Sequence, residues 1–141
     1  PYNPGATAAV WQRLIDLTGN NSADVFSVMT GAADHPSNTS RRDNYVKKLT
    51  AMSGGKVTAE DGTVYVNKKA LVTPAPANGM SSAERSYFVM GNLAAAYKNG
   101  HAASRAYADG RTVMLGAQPI ISCTDGDHSA NEIAQLLNEI K

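Results

Sequence analysis

Hydrophobic positions recur mainly at helical spacing, and the strongest such stretch runs from Ser81 to Asn99. Ser81 and Glu84 have the spacing of a capping box, which predicts that a helix begins there. A largely apolar run follows, and Asn99-Gly100 predicts the end of the helix. Gly91 and Ala95 lie one turn apart, so we expect another backbone to approach the helix closely on that side. This helix is the predicted centre of the fold.

Weaker helical patterns occur on both sides of this stretch. We expect these shorter helices to pack around the central one, giving five to six short helices in total. They are predicted to begin near Thr7, Ser22, Ser40, His101 and Ser129.

One β-hairpin is predicted over Lys56–Asn67. Asp61-Gly62 is a preferred dipeptide for a two-residue turn, and alternating residues flank it on both sides. Pairing Glu60 with Thr63 places Val57 and its apolar partners on one face of the hairpin. Turn chemistry and alternation therefore predict the same register.

Together these patterns predict a mainly α fold with one β-hairpin, of the α+β class, in a single domain over residues 1–141. Residues 1–6 are predicted to form a free arm, and residues 70–80 a proline-rich internal connection. The stretch from Thr112 to Cys123 is interrupted by a glycine and a proline, which favours a bent edge strand or an extended segment. No internal repeat is evident.

Composition suggests a thin core. Of the 141 residues, 22 are alanine, so the hydrophobic fraction of 43% overstates the bulky side chains available for burial. The formal net charge of +1 argues against a disordered chain. We therefore expect the protein to complete its apolar contacts through other molecules, and we predict that it forms a homo-oligomer.

Basic residues are concentrated in the middle of the chain. Their side chains could contact a nucleic-acid backbone, and Tyr45 and Tyr65 could stack on bases. A solvated basic face, or self-association with the more acidic remainder of another copy, explains the same pattern. The candidate nucleic-acid or partner-binding residues are Arg41, Arg42, Lys47, Lys48, Lys56, Lys68 and Lys69.

Cys123 and His128 lie in one short segment rich in reactive side chains. A nearby helix N-terminus could activate the thiol, but Asp125 and Asp127 serve more simply as turn and capping residues. Cys123 is the single cysteine of the sequence, so an intramolecular disulfide cannot form. No metal motif is present, and we expect no cofactor.

Glu84 supports an enzymatic alternative. A helical domain with one hairpin has the outline of lysozyme-like muramidases, in which a glutamate on a helix is the general acid. Glu60 or Asp61 at the tip of the hairpin could supply the second carboxylate. This interpretation predicts a small exported hydrolase that cleaves peptidoglycan.

The sequence favours a non-enzymatic subunit that works by self-association, in a virion, a phage particle or a similar assembly. The lysozyme-like hydrolase and a nucleic-acid-binding module are the two alternatives. No apolar run is long enough for a membrane span. A soluble, cytoplasmic or viral-particle location is expected in preference to a disulfide-rich extracellular one.

Overall fold

The computed structural model describes residues 3–18 and 38–141. Within these ranges, four α-helices and two three-stranded antiparallel sheets follow one another, with a 3-10 turn at His101–Ala103. The elements are α1 Ala6–Thr18, α2 Asn38–Met52, β1 Val57–Glu60, β2 Thr63–Val66, β3 Lys69–Val72, α3 Ser82–Lys98, β4 Ala106–Asp109, β5 Thr112–Leu115, β6 Gln118–Ser122 and α4 Ala130–Ile140.

The predicted hairpin is confirmed in its register. Glu60 pairs with Thr63 and Val57 with Val66. Asp61 and Gly62 both have positive φ angles, of 50° and 84°, which is the backbone that a type I′ turn requires.

The predicted fold class is wrong, because the described ranges contain two three-stranded sheets and not one hairpin. The first hairpin continues into β3, which the sequence analysis placed partly in the proline-rich connection. The second sheet replaces a predicted helix over 101–109, of which only the 3-10 turn forms. The predicted helix over 22–30 lies outside the described residues.

Local chemistry explains the second sheet. Gly110 has a φ of 62° and begins a two-residue turn, so Asp109 and Thr112 close a second hairpin. Gly116 has a φ of 60° and allows the next turn. Pro119 lies in β6 at the edge of the sheet, next to a register shift, where a missing N–H is tolerated.

The central helix is confirmed, as α3 with Ser81 as its N-cap. Both hydrogen bonds of the capping box are present, from Glu84 N–H to the Ser81 hydroxyl and from Ser81 N–H to the Glu84 carboxylate. The close approach predicted at Gly91 is made by Gly5, since a Cβ on Gly91 would lie 2.3 Å from Gly5 N. Asn3 Nδ2 also donates to the Asn92 side chain at 2.9 Å, so residues 3–6 pack on α3.

The chain contains an internal duplication that the sequence analysis missed. Unit one is β1–β3 followed by α3, and unit two is β4–β6 followed by α4. The same displacement along the chain relates every strand pair of the two sheets, including a register shift after Val64 and its counterpart Val113. Both helices begin at a serine cap, Ser81 and Ser129, each accepting from the N–H of a glutamate three residues on.

The two units share one core because the helix of each unit also packs on a strand of the other unit. Helix α3 packs on β1 and β2 of its own unit and on β6 of unit two. Helix α4 packs on β4 and β5 of its own unit and on β3 of unit one. Apolar residues of both sheets and both helices are therefore buried together.

A buried ion pair joins α3 to the segment that precedes α4. Arg85 Nη2 lies 2.9 Å from Asp127 Oδ2, and their side chains are only 7% and 0% exposed. The Arg85 guanidinium also donates to the carbonyls of Ala75 and Ser122. One arginine thus connects the end of β6, the connection before α3 and the segment before α4.

The surroundings of Asp127 keep its carboxyl group ionised. Burial by itself would raise its pKa, but hydrogen bonds from Arg85, from Ala75 N–H and from the N–H and hydroxyl of Thr124 outweigh burial and hold the pKa well below its ordinary value.

Replacing Asp127 by alanine should destabilise the protein by about 3–5 kcal/mol, because it leaves the Arg85 charge buried without its partner. Urea unfolding measures the change. Asp125→Ala is the matched control: Asp125 also pairs with an arginine, Arg111, but its side chain is 98% exposed. Equal unfolding midpoints for the two variants would contradict this role for the buried pair.

Stability should also fall in acid through Asp127. The pKa of Asp127 is lower in the folded protein than in the unfolded chain, where it is near 4. The ionised carboxylate therefore contributes fully to the free energy of unfolding above about pH 4. This contribution is lost as the pH falls from about 4 toward the folded-state pKa. Urea unfolding between pH 2.5 and 7 should show a shallower acid decline for Asp127→Asn than for the unchanged protein. Parallel curves would exclude Asp127 as a source of the decline.

Candidate functional site

A cleft of about 500 Å³ opens between α2, β1 and the beginning of α3. Helix α2 forms one wall, the edge of β1 and the hairpin tip form the opposite wall, and Tyr87 and Ala83 of α3 lie between them. The lining residues are Gln12, Arg42, Asp43, Val46, Lys47, Thr58, Ala59, Glu60, Asp61, Ala83 and Tyr87.

Two cationic side chains, Arg42 and Lys47, lie on the α2 wall, and neighbouring side chains hold only the first of them. Arg42 donates to Gln12 Oε1 at 2.7 Å and pairs with Asp43 Oδ1 at 3.0 Å. Lys47 makes no hydrogen bond or ion pair with any described residue and is exposed. Its amine is therefore available to a molecule bound in the cleft.

The opposite wall offers a strand edge, because β1 is the outer strand of its sheet. Asn67 N–H donates to Lys56 O at 2.8 Å, so Lys56 points its main-chain groups toward β2. In an antiparallel pair, residues alternate between pointing these groups toward and away from the neighbouring strand. The main-chain groups of Val57 and Ala59 therefore point away from β2. Val57 N–H indeed donates to the Ser53 hydroxyl at 2.9 Å. The main chain of Ala59 faces the cleft side of the strand.

Unit two closes the equivalent edge. The side-chain amide of Asn138 on α4 accepts from Ala106 N–H at 2.8 Å and donates to Ala106 O at 2.9 Å. Ala106 is the counterpart of Val57 in the duplicated register. In unit one, Val57 N–H is bonded by Ser53 instead, and the cleft lies between α2 and the rest of β1.

Tyr87 combines a buried ring with a position in the cleft, since the residue is only 5% exposed. Burial raises the pKa of Tyr87 above its ordinary value; Arg42 acts in the opposite direction, while the carboxylates of Asp43, Asp61 and Asp16 add to the rise. The phenol is therefore protonated at neutral pH.

The structure divides the seven basic candidates between two places. Those on α2 are Arg41, Arg42, Lys47 and Lys48, of which Arg42 and Lys47 line the cleft together with Glu60 and Asp61. Arg41 stacks on the Trp11 ring at 4.8 Å, and Lys48 on the Tyr45 ring at 5.0 Å. Lys56, Lys68 and Lys69 lie at the other end of the first sheet, away from the hairpin tip.

Glu84 has structural partners and does not line the cleft. Besides capping α3, it forms an ion pair with Arg13 at 2.8 Å, and Arg13 also donates to Gly79 O. Its side chain is 9% exposed. These contacts fasten α1 to α3.

Cys123 and His128 line a second, smaller pocket but are not hydrogen-bonded to each other. His128 pairs with Glu132 at 3.4 Å instead. Burial raises the pKa of the Cys123 thiol, and Asp127 adds to the rise, while Arg85 and Arg111 act in the opposite direction. The thiol is therefore not activated, although it lies near the start of α4.

Comparison with known protein families gives a match over most of the chain. Residues 17–117 match the model described as signal peptidase, peptidase S26. The chain belongs to this family. Curated proteins and solved structures give no match. The matched range contains every cleft residue except Gln12, whereas Cys123, Asp127 and α4 lie beyond it.

Membership of the signal peptidase family overturns the functional predictions made from the sequence. The non-enzymatic virion or phage-particle subunit is wrong, because the family is one of hydrolytic enzymes. The lysozyme-like hydrolase with Glu84 as general acid and the nucleic-acid-binding module are wrong as well. Self-association and cellular location stay predictions.

Residues 3–18 and 38–141 contain no candidate membrane span and no candidate metal site. None of the described helices is long and apolar enough to cross a membrane. Within the same ranges, no three histidine, cysteine, aspartate or glutamate residues converge as metal ligands do.

Sequence reasoning found part of the cleft for other reasons. It named Arg42 and Lys47 as basic residues, and Glu60 and Asp61 as carboxylates, without placing the two sets together. It missed Tyr87 and Thr58. Tyr87 occupies an ordinary apolar position of α3, so no sequence signal distinguishes it from a core residue.

The Cys123 thiol should react slowly with Ellman's reagent at pH 7–8 in the folded protein, because it is 8% exposed and its pKa is raised. Unfolding in urea should restore the rate of an ordinary free thiol. Absorbance at 412 nm follows the reaction. A fast reaction without urea would show that the second pocket does activate the thiol.

Proposed function

We propose that the protein hydrolyses peptide bonds and binds its substrate in the cleft between α2 and β1. The family match carries the proposal, because it covers nearly all of the cleft. The cleft also has cationic, anionic and hydroxyl groups on its walls.

The edge of β1 supports binding of an extended peptide. A strand-like segment can add to an exposed sheet edge through main-chain hydrogen bonds, which do not depend on its sequence. In this protein the main chain of Ala59 faces such a segment, and the α2 wall would contact its side chains.

Lys47 is the residue that we propose as proton acceptor. Peptide hydrolysis requires a group that takes the proton of the attacking oxygen, and lysine serves this purpose in some peptidases. Arg42 is held by Gln12 and Asp43, whereas the Lys47 amine is without a partner among the described residues.

Lys47→Met should lower kcat by about 100-fold or more, because the amine that accepts the proton is lost. Cleavage of a library of internally quenched peptides, followed by fluorescence, measures the effect. Lys48→Met is the matched control: it removes the neighbouring amine of α2, which stacks on Tyr45 and does not line the cleft.

Two results would oppose the proposal. Absence of cleavage by the unchanged protein across the library would reject peptide hydrolysis. Equal activity of the Lys47 and Lys48 variants would place the proton acceptor elsewhere. Thermal unfolding of both variants should confirm that each remains folded.

A further inference from the structure

Tyr87 and Tyr97 lie on the same helix but hold their hydroxyl groups in different surroundings. Tyr97 Oη is enclosed and has no hydrogen-bond partner among the described residues. Tyr87 Oη likewise has no such partner, yet it is not among the enclosed atoms, although the residue as a whole is only 5% exposed. The Tyr87 hydroxyl is therefore not enclosed, although the residue as a whole is buried, and Tyr87 lines the cleft.

This arrangement makes Tyr87 a preorganised hydrogen-bond donor. Packing of the ring in the core restricts its movement, so little order is lost when the hydroxyl meets a bound molecule. Its proton is retained at neutral pH, since burial and the nearby carboxylates raise the pKa of Tyr87. Tyr87 is the one tyrosine among the described residues that line the cleft, and Ala59, with which a substrate main chain would pair, lies on the β1 wall.

We propose that the Tyr87 hydroxyl donates a hydrogen bond to the carbonyl oxygen of the peptide bond being cleaved. Donors that are fixed before the reaction stabilise the negative charge that develops on such an oxygen. This inference rests on the proposed peptide hydrolysis in the same cleft and adds a catalytic residue to it.

In the first step, the oxygen of a water molecule forms a bond to the carbonyl carbon, and one of the water's protons passes to Lys47. The electron pair of the C=O bond moves onto the carbonyl oxygen, which accepts the hydrogen bond from Tyr87. In the second step, that pair re-forms the C=O bond, the C–N bond breaks, and the amine leaves with the proton from Lys47. Tyr87 donates throughout and is not consumed.

Tyr87→Phe tests the inference with little disturbance of the fold, because phenylalanine keeps the buried ring and the lost hydroxyl has no protein partner among the described residues. We expect kcat to fall by about 100-fold, as for loss of one such donor, with KM changed less than about twofold. The assay uses the quenched peptide that the unchanged protein cleaves fastest.

Tyr97→Phe is the matched control, since it removes a hydroxyl from the same helix that is enclosed and away from the cleft. Its kcat should equal that of the unchanged protein. Thermal unfolding of both variants should be within a few degrees of the unchanged protein, which separates loss of chemistry from loss of structure.

The outcomes distinguish this inference from the function on which it rests. If Lys47→Met abolishes cleavage while Tyr87→Phe retains full kcat, the role of Tyr87 is overturned and peptide hydrolysis stands. If Tyr87→Phe raises KM and leaves kcat unchanged, Tyr87 contributes to binding and the catalytic assignment is overturned. If the unchanged protein cleaves no peptide, both are rejected.

Discussion

The Arg85–Asp127 ion pair is the contact on which the arrangement of the two units depends. Removing two charges from water is costly, and this pair is compensated by main-chain groups on both sides. The same guanidinium bonds the end of β6 and the connection before α3. Because each helix also packs on the third strand of the other unit, the pair secures a reciprocal interface inside one chain.

The candidate site lies where the duplication is broken. The two units share strand register, turn positions and helix caps. Only unit one is adjoined by α2, which adds Arg42 and Lys47 to one side of a strand edge. An internally repetitive scaffold thus carries a cleft whose cationic wall comes from an element outside the repeat, while β1 and α3 of unit one supply the other groups.

Some of this structure was predictable because the signal is local. Asp61-Gly62 and the alternation around it set the first hairpin, and Ser81 with Glu84 set the start of α3. The second hairpin carries its own glycine turn at Gly110, but helix-forming alanines before it favoured the wrong interpretation. Local propensity is a weak guide where tertiary pairing decides.

The cleft was not predictable from the same signals. It forms where α2, β1 and α3 meet, and these segments are brought together only by packing. Lys47 differs from Lys48 by facing the cleft, and nothing in the adjacent sequence separates the two. Tyr87 and Tyr97 lie on the same helix, yet Tyr87 lines the cleft and the Tyr97 hydroxyl is enclosed. A site whose members are distinguished by surroundings becomes visible only in three dimensions.

The side chain of Asn138 has a consequence for the behaviour of the protein in concentrated solution. By bonding both main-chain groups of Ala106, it occupies a position that a strand from a neighbouring molecule would otherwise take. Uncovered strand edges invite such additions and can lead to aggregation. One amide thus blocks the addition of a strand at Ala106, whereas on β1 the Ser53 hydroxyl takes only the N–H of Val57 and the main chain of Ala59 stays on the open side.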